Sequence, residues 1–325
     1  MTAKASKLHA GEGSEGFSSP TSVAEFLHVP ESPECIGGDA PFDKVDGLEW
    51  LGPYAGRLVL GTNAAEVRME PNDDIRISFA LAAPLHDEEA LRQNELLPGN
   101  VRFARMRGAA VMTADSRVNG RWHLKETFRR IRAAMDTGAA GTGSGTNSCA
   151  AHSKDPAPAG LEAGTVDEAL GALSWAEDAV VAGPDGWELR IPMRDGRVVP
   201  VRMTLDESEL KFERVVLDAD AWRVDEGGCS GAAHRAVADQ ALRLNARIRH
   251  ARFALADDRL VIQTRLHAGQ VEASWLELAA SAVAFGWNHA RLALRVLAHH
   301  PDVATRYWEV LCSTGEQTTS ADVDG

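Results

Sequence analysis

Four cysteines, eleven histidines and several runs of carboxylates are the groups in this 325-residue chain best able to do chemistry. Their spacing argues against most of it. Cys35, Cys149, Cys229 and Cys312 lie far apart, so the chain has no Cys-x-x-Cys pair for zinc or redox work and no disulfide framework. His289, His299 and His300 fall near the end of a helical stretch, but His289 and His299 would sit about 15 Å apart along a helix rising 1.5 Å per residue, too far to share one ion. Histidines at a helix end are accounted for by their attraction to its C-terminal dipole. The glycine run at Gly141, Gly143 and Gly145 has Thr146 where a dinucleotide fingerprint wants its third glycine, and no strand precedes it. Asp73-Asp74 reads as a hairpin turn, and Asp87-Glu88-Glu89 as the first turn of a helix, where negative charge is favoured. No Gly-x-Ser-x-Gly elbow occurs, although triads assembled from distant segments leave no local trace. The expectation is a chain with no cofactor, no metal and no catalytic residue identifiable from its sequence, leaning away from an enzyme.

Side chains suited to contacting a partner are easier to find. Arg252, Arg259 and Arg265 lie on one predicted hairpin near the C-terminus, where charge blunts an exposed strand edge. Arg121, Lys125, Arg129, Arg130 and Arg132 make one stretch basic within a chain of net charge −13. Either a solvated helix face or a dock for an acidic partner would account for it, with Arg129 and Arg130 its candidate contacts. Trp275, Phe285, Trp287, Tyr307 and Trp308 concentrate aromatics near the C-terminus. Trp275 and Phe285 are assigned to the core, whereas Trp287 and Trp308 are candidates for an exposed binding surface.

Composition narrows the partner. With 34 Lys and Arg against 47 Asp and Glu, the surface repels phosphate backbones, so no nucleic acid is expected. No stretch approaches a membrane span and the first twenty residues lack an apolar core, which points to the cytoplasm and to no membrane association. The preference for Arg over Lys fits a high-GC bacterial coding sequence.

The elements that must position these groups fall into two similar halves. Residues 136–160 are rich in Gly, Ser, Thr and Pro and read as a flexible linker; residues 1–20 and 313–325 read as disordered tails. The first unit then spans 21–135 and the second 161–312. Short echoes recur in the same order on both sides. Ser22-Val-Ala-Glu25 and Thr165-Val-Asp-Glu168 both read as capping boxes. Leu48-Glu-Trp50 matches Leu173-Ser-Trp175, Val67-Arg-Met69 matches Val201-Arg-Met203, and Asn100-Val-Arg102 matches Asn245-Ala-Arg247, with Arg107 set against Arg252. In the second half, 187–191, 198–204 and 210–217 form a three-stranded meander, 234–244 an amphipathic helix, 248–255 and 259–266 a hairpin, and 272–299 a helix with Gly286 as a possible break and Pro301 as its stop. The first half reads likewise: strands 56–60, 66–70 and 75–81, helix 86–95, hairpin 101–118 and helix 122–135. Each unit is α-β-β-β-α-β-β-α, an α+β fold of two tandem antiparallel sheets covered by helices on one face.

That order, together with LNARIRHARFALADDRLVIQTRL over 244–266 followed by a helix, resembles the class I type III secretion chaperone fold and its YbjN-type (sensory-transduction-regulator) relatives. The resemblance covers 165–299 and more loosely 22–135. It implies a non-enzymatic binding module that dimerises and, in the chaperone branch, holds a partly unfolded segment of a client protein. This chain departs from the single-unit pattern by carrying two units and a long loop around 225–231. Two joined units imply a monomer containing a pseudo-dimer, with a homodimer as the alternative. An interaction scaffold whose units pack only on each other, and an enzyme with a site between the units, remain the competing readings.

Overall fold

The computed structural model describes residues 48–50, 55–60, 63–70, 74–80, 86–97, 101–106, 109–117, 163–173, 179–206, 209–222, 231–267 and 271–313, all within one compact unit, Lys44–Gly325. The tails at 1–20 and 314–325, the linker, the Ser22 capping box, helix 122–135 with Arg129 and Arg130, and the loop at 225–230 lie outside the described residues, whereas Ser313, expected in the C-terminal tail, ends a helix.

In the first half a meander of β1 (Leu48–Trp50), β2 (Ala55–Leu60), β3 (Asn63–Glu70) and β4 (Asp74–Ala80) leads to α1 (Asp87–Leu96). The hairpin β5 (Val101–Met106) and β6 (Ala109–Arg117) follows. The second half runs α2 (Ala163–Gly171), β7 (Val180–Gly183), β8 (Gly186–Pro192), β9 (Val198–Asp206), β10 (Glu209–Leu217) and the short α3 (Ala219–Trp222). It ends with α4 (Gly231–Asn245), the hairpin β11 (Arg252–Ala256) and β12 (Arg259–His267), α5 (Ala273–His299) and α6 (Pro301–Ser313). The fold is α+β. One antiparallel sheet has the order β1-β2-β3-β4-β6-β5 and the other β7-β8-β9-β10-β12-β11, so the second repeats the first strand for strand. Each meander has four strands, one more than the sequence pattern indicates, because β1 and β7 are short outer strands without clear alternation.

Alternation places the core. On β9, Val199, Val201 and Met203 are buried while Val198 and Arg202 face solvent; on β10, Leu210 and Phe212 point the same way as Met203. Helix α5 lies on that face. Gly286 does not break it: a Cβ there would run into the Ile262 side chain on β12 and lie 3.4 Å from Ile248, so the glycine permits close packing of helix on strand. Pro301, expected as a stop, also serves as the first residue of α6, where its missing N–H costs nothing. The β11–β12 turn holds Asp257 and Asp258 at φ 47° and 58°, the left-handed pair that matches strand twist in a two-residue hairpin.

Three echoes need correction. Val67 and Val201 sit on equivalent strands, but the ladders pair Val67 with Ile77 and Met203 with Phe212, so the tripeptides are shifted by two residues. Leu48–Trp50 is a strand whereas Leu173 follows helix α2, and these are not equivalent. Asn245 ends helix α4 and β11 begins only at Arg252, so Arg247 lies in the turn between them and is not the counterpart of Arg102.

Candidate functional site

The true counterparts emerge from the hydrogen bonds. Asn94, at the end of α1, accepts from Phe103 N at 2.6 Å and donates to the carbonyls of Phe103 (3.2 Å) and Phe253 (3.1 Å). Asn245, at the end of α4, accepts from Phe253 N at 2.6 Å and donates to the same two carbonyls, each at 3.1 Å. Each asparagine thus bridges the hairpins of both halves. The arginines that precede these phenylalanines cross over as well. Arg102 donates from Nε to Asn245 O and from Nη2 to Ile248 O, both at 2.7 Å. Arg252 donates to Asn94 O at 2.6 Å, Val101 O at 3.2 Å and Leu97 O. A helix leaves its last carbonyls without intrahelical donors, and here each half supplies the donors for the other. The relation is reciprocal, the signature of an isologous interface. Its sequence signal is Leu-Arg-x-Asn followed by Arg-Phe-Ala, at 91–94 with 102–104 and at 242–245 with 252–254.

Charge completes this seam with less symmetry. Asp115 pairs with Arg102 at 2.7 Å and Arg76 at 3.1 Å, and accepts from His250 N at 3.1 Å. Burial alone would raise its pKa, but the Arg102 and Arg76 guanidiniums hold the carboxyl well below the usual range. At the matching place in the second half the acid comes from the helix end instead: Glu95 receives Lys211 at 2.7 Å and Arg265 at 3.3 Å. At the start of α1, Asp239 lies 3.0 Å from Arg105 and 2.6 Å from Arg243, and accepts from the Tyr307 hydroxyl at 2.5 Å. Burial, aided by the Asp239 carboxylate, pushes the Tyr307 phenol far up. Asp87, which also meets Arg105, is raised chiefly by burial. These polar groups are committed to helix ends and to one another rather than to a cavity.

The seam changes the standing of the arginines picked out from sequence. Arg252 is buried, and burial draws its guanidinium down to about 9. It is not a surface contact, because the edge strand it occupies faces the other half rather than solvent. Arg265 is held among Glu95, Asp206 and Glu209. Arg259 is more open, 35% exposed and paired with Asp257. Trp287 donates to Val215 O at 2.8 Å and lies between Arg214 and Arg291, so it is half-buried and engaged. Trp308 donates to Ala232 O at 3.3 Å and meets Tyr307 edge-on. Phe285, assigned to the core by type, is 65% exposed and stacks on His289. The predicted contact set is therefore dispersed.

What the structure does assemble is a groove of about 710 Å³ on the face of the second sheet opposite α5. Its lining includes Val181 on edge strand β7, Glu188 and Arg190 on β8, Pro200 and Arg202 on β9, Glu213 and Val215 on β10, and Arg259 on β12. The ladders align Val181, Glu188, Arg202 and Glu213 in one row across four strands. Lys211 neutralises Glu213 at 2.9 Å and Arg190 pairs with Glu188 at 3.3 Å, while Arg202 has no ion-pair partner among the described residues. Strand β7 ends the sheet on this side, with Val181 41% exposed. Sequence reading missed this face because its residues come from four separate strands. No protein-family model matches the chain, and no curated protein matches it. Among the described residues, no helix is long and apolar enough to cross a membrane.

Proposed function

We propose that the chain is a non-enzymatic polypeptide-binding module, chaperone-like or regulatory, in which two fused units form an internal pseudo-dimer and an extended client segment binds the open face of the second sheet along β7. The observation that carries this reading is the groove beside a strand edge that no other described strand pairs with. The seam buries the β11 side of the sheet, whereas β7 is its outermost strand among the described residues, with one side of its backbone open to strand addition there. Val181 and Pro200 supply apolar contacts and the arginines polar ones. Resemblance to the type III secretion chaperone and YbjN-type fold supports the same reading, since that fold serves binding rather than turnover. The scaffold alternative is weaker because it gives the groove no role.

Ala182→Pro tests the proposal. Gly183 and Gly186 close the turn as a hydrogen-bonded pair, so Val181 bonds Glu188 within the sheet while Ala182 turns its N–H outward, and proline at 182 removes an outward donor without breaking the β7–β8 ladder. Synthetic segments that bind the native chain in fluorescence titration should lose binding to this variant while its melting transition is retained. Binding that survives the substitution would place the client elsewhere.

A further inference from the structure

Strands β9 and β10 separate beneath the groove. Strand β9 reaches back to Val198 and β10 runs on to Leu217, yet their ladder ends at Arg202 and Glu213. At the β8–β9 turn the Met193 N–H bonds Arg197 O at 2.7 Å, so Val199 and Val201 bond β8, and the residues between them and beyond, Pro200 and Arg202, turn their backbone groups to β10. After Arg202–Glu213 the next hydrogen-bonded pair would be Pro200 with Val215, and proline has no N–H to give the Val215 carbonyl. A bulge between Val215 and Leu217 bends β10 at the same place. Helix α5 makes good the loss: Trp287 donates to Val215 O at 2.8 Å and Arg295 to Val216 O at 3.4 Å. The groove enters this opening. Arg214, on the same face of β10 as buried Phe212, lines it together with Glu213 and Val215 from the other face.

From this split we infer that the opening between β9 and β10 is an anchor pocket for one aromatic side chain of the bound segment, and that Pro200 sets this specificity by keeping the strands apart. The inference rests on the function proposed above and names the residue type its client carries. Pro200 and Val215 give the opening apolar walls. At its inner end the Arg214 guanidinium lies 5.2 Å from the centre of the Trp287 ring, with Nε buried and without a hydrogen-bond partner among the described residues. A guanidinium stacked on one aromatic ring offers its second face to another, and an entering phenyl ring completes that stack. A carboxylate is not selected, since Glu188 and Glu213 flank Arg202 in the ladder. With strands about 4.8 Å apart, the opening lies about 17 Å from a strand added outside β7. The anchor therefore belongs to the part of the segment that leaves β7 and crosses the groove, about five extended residues on.

The test uses the full chain and fluorescent peptides of about ten residues that alternate Ser and Val, with Phe at both ends or with Ala in its place. The Phe peptide is expected to bind the native chain about tenfold more tightly. Pro200→Thr restores the missing N–H with a residue suited to a strand, so the ladder can extend and the opening close. It should bring the Phe peptide down to the affinity of the Ala peptide while the melting temperature holds or rises by a few degrees. Arg214→Met keeps the bulk, removes the guanidinium and should weaken the Phe peptide several-fold with the Ala peptide unchanged; it decides the matter if Pro200→Thr melts below the native chain. Equal binding of the two peptides to the native chain, or a Phe advantage that survives either substitution, would overturn the anchor pocket while leaving strand addition intact. Ala182→Pro should weaken both peptides alike, which separates loss of the edge from loss of the pocket. Failure of both peptides to bind the native chain would remove the proposed function with it.

Discussion

Replacing Arg252 with Met is expected to destabilise both sheets together although the residue lies away from the groove. Its side chain is 1% exposed and its donors reach three carbonyls of the opposite half, those of Asn94 and Leu97 at the end of α1 and of Val101 at the start of β5. Methionine fills a similar volume, so the change isolates the hydrogen bonds from cavity formation. Each stranded buried carbonyl costs about 1–3 kcal/mol, and relief of the buried charge offsets part of the total, leaving a loss of about 3 kcal/mol. That is a large share of the ~5–15 kcal/mol by which domains are stable. In urea the midpoint should fall by roughly 1 M or more, given a slope near the upper end of ~1–3 kcal/mol/M for a unit this large. The slope itself should not change, because the surface exposed on unfolding is the same. Arg252→Lys should recover only part of the loss, since one ammonium lacks the planar fork that spans separate acceptors. Arg259→Met on the same hairpin is the exposed comparison and should move the midpoint little. A loss below about 1 kcal/mol for Arg252→Met, or an equal loss for Arg259→Met, would refute the reciprocal-clamp account.

Asp115 should make stability acid-sensitive. The folded state binds fewer protons at this carboxyl than the unfolded chain, so its contribution is complete above the ordinary value of 3.8 and is lost as pH falls below it through the lowered folded value. Asp115→Asn should flatten that limb in a series of melts; an unchanged pH profile would show that the pair with Arg102 contributes nothing. Proteolysis should cut between Asp136 and Gly160 first, and the two fragments should still elute as one particle, held by the crossed arginines and asparagines. Fragments that separate without denaturant would refute the clamp.

The sequence by itself determined the local grammar. Alternation at Val199, Val201 and Met203, the acidic first turn of α1, the Asp257-Asp258 turn and the stripe of Val237, Ala241 and Leu244 are properties of neighbours in the chain, and each yields its element. The matching strand order of the two sheets was legible for the same reason, since order survives in sequence even where register does not. What tertiary structure alone decided is where each charge ends up. Arg252 and Arg259 are near neighbours on one hairpin, yet one is sealed beneath the opposite half and the other lies open, because burial depends on what packs against a face rather than on the residues along it. The groove escaped notice on the same grounds: Val181, Glu188, Arg202 and Glu213 become one row only when antiparallel pairing sets the register of four strands.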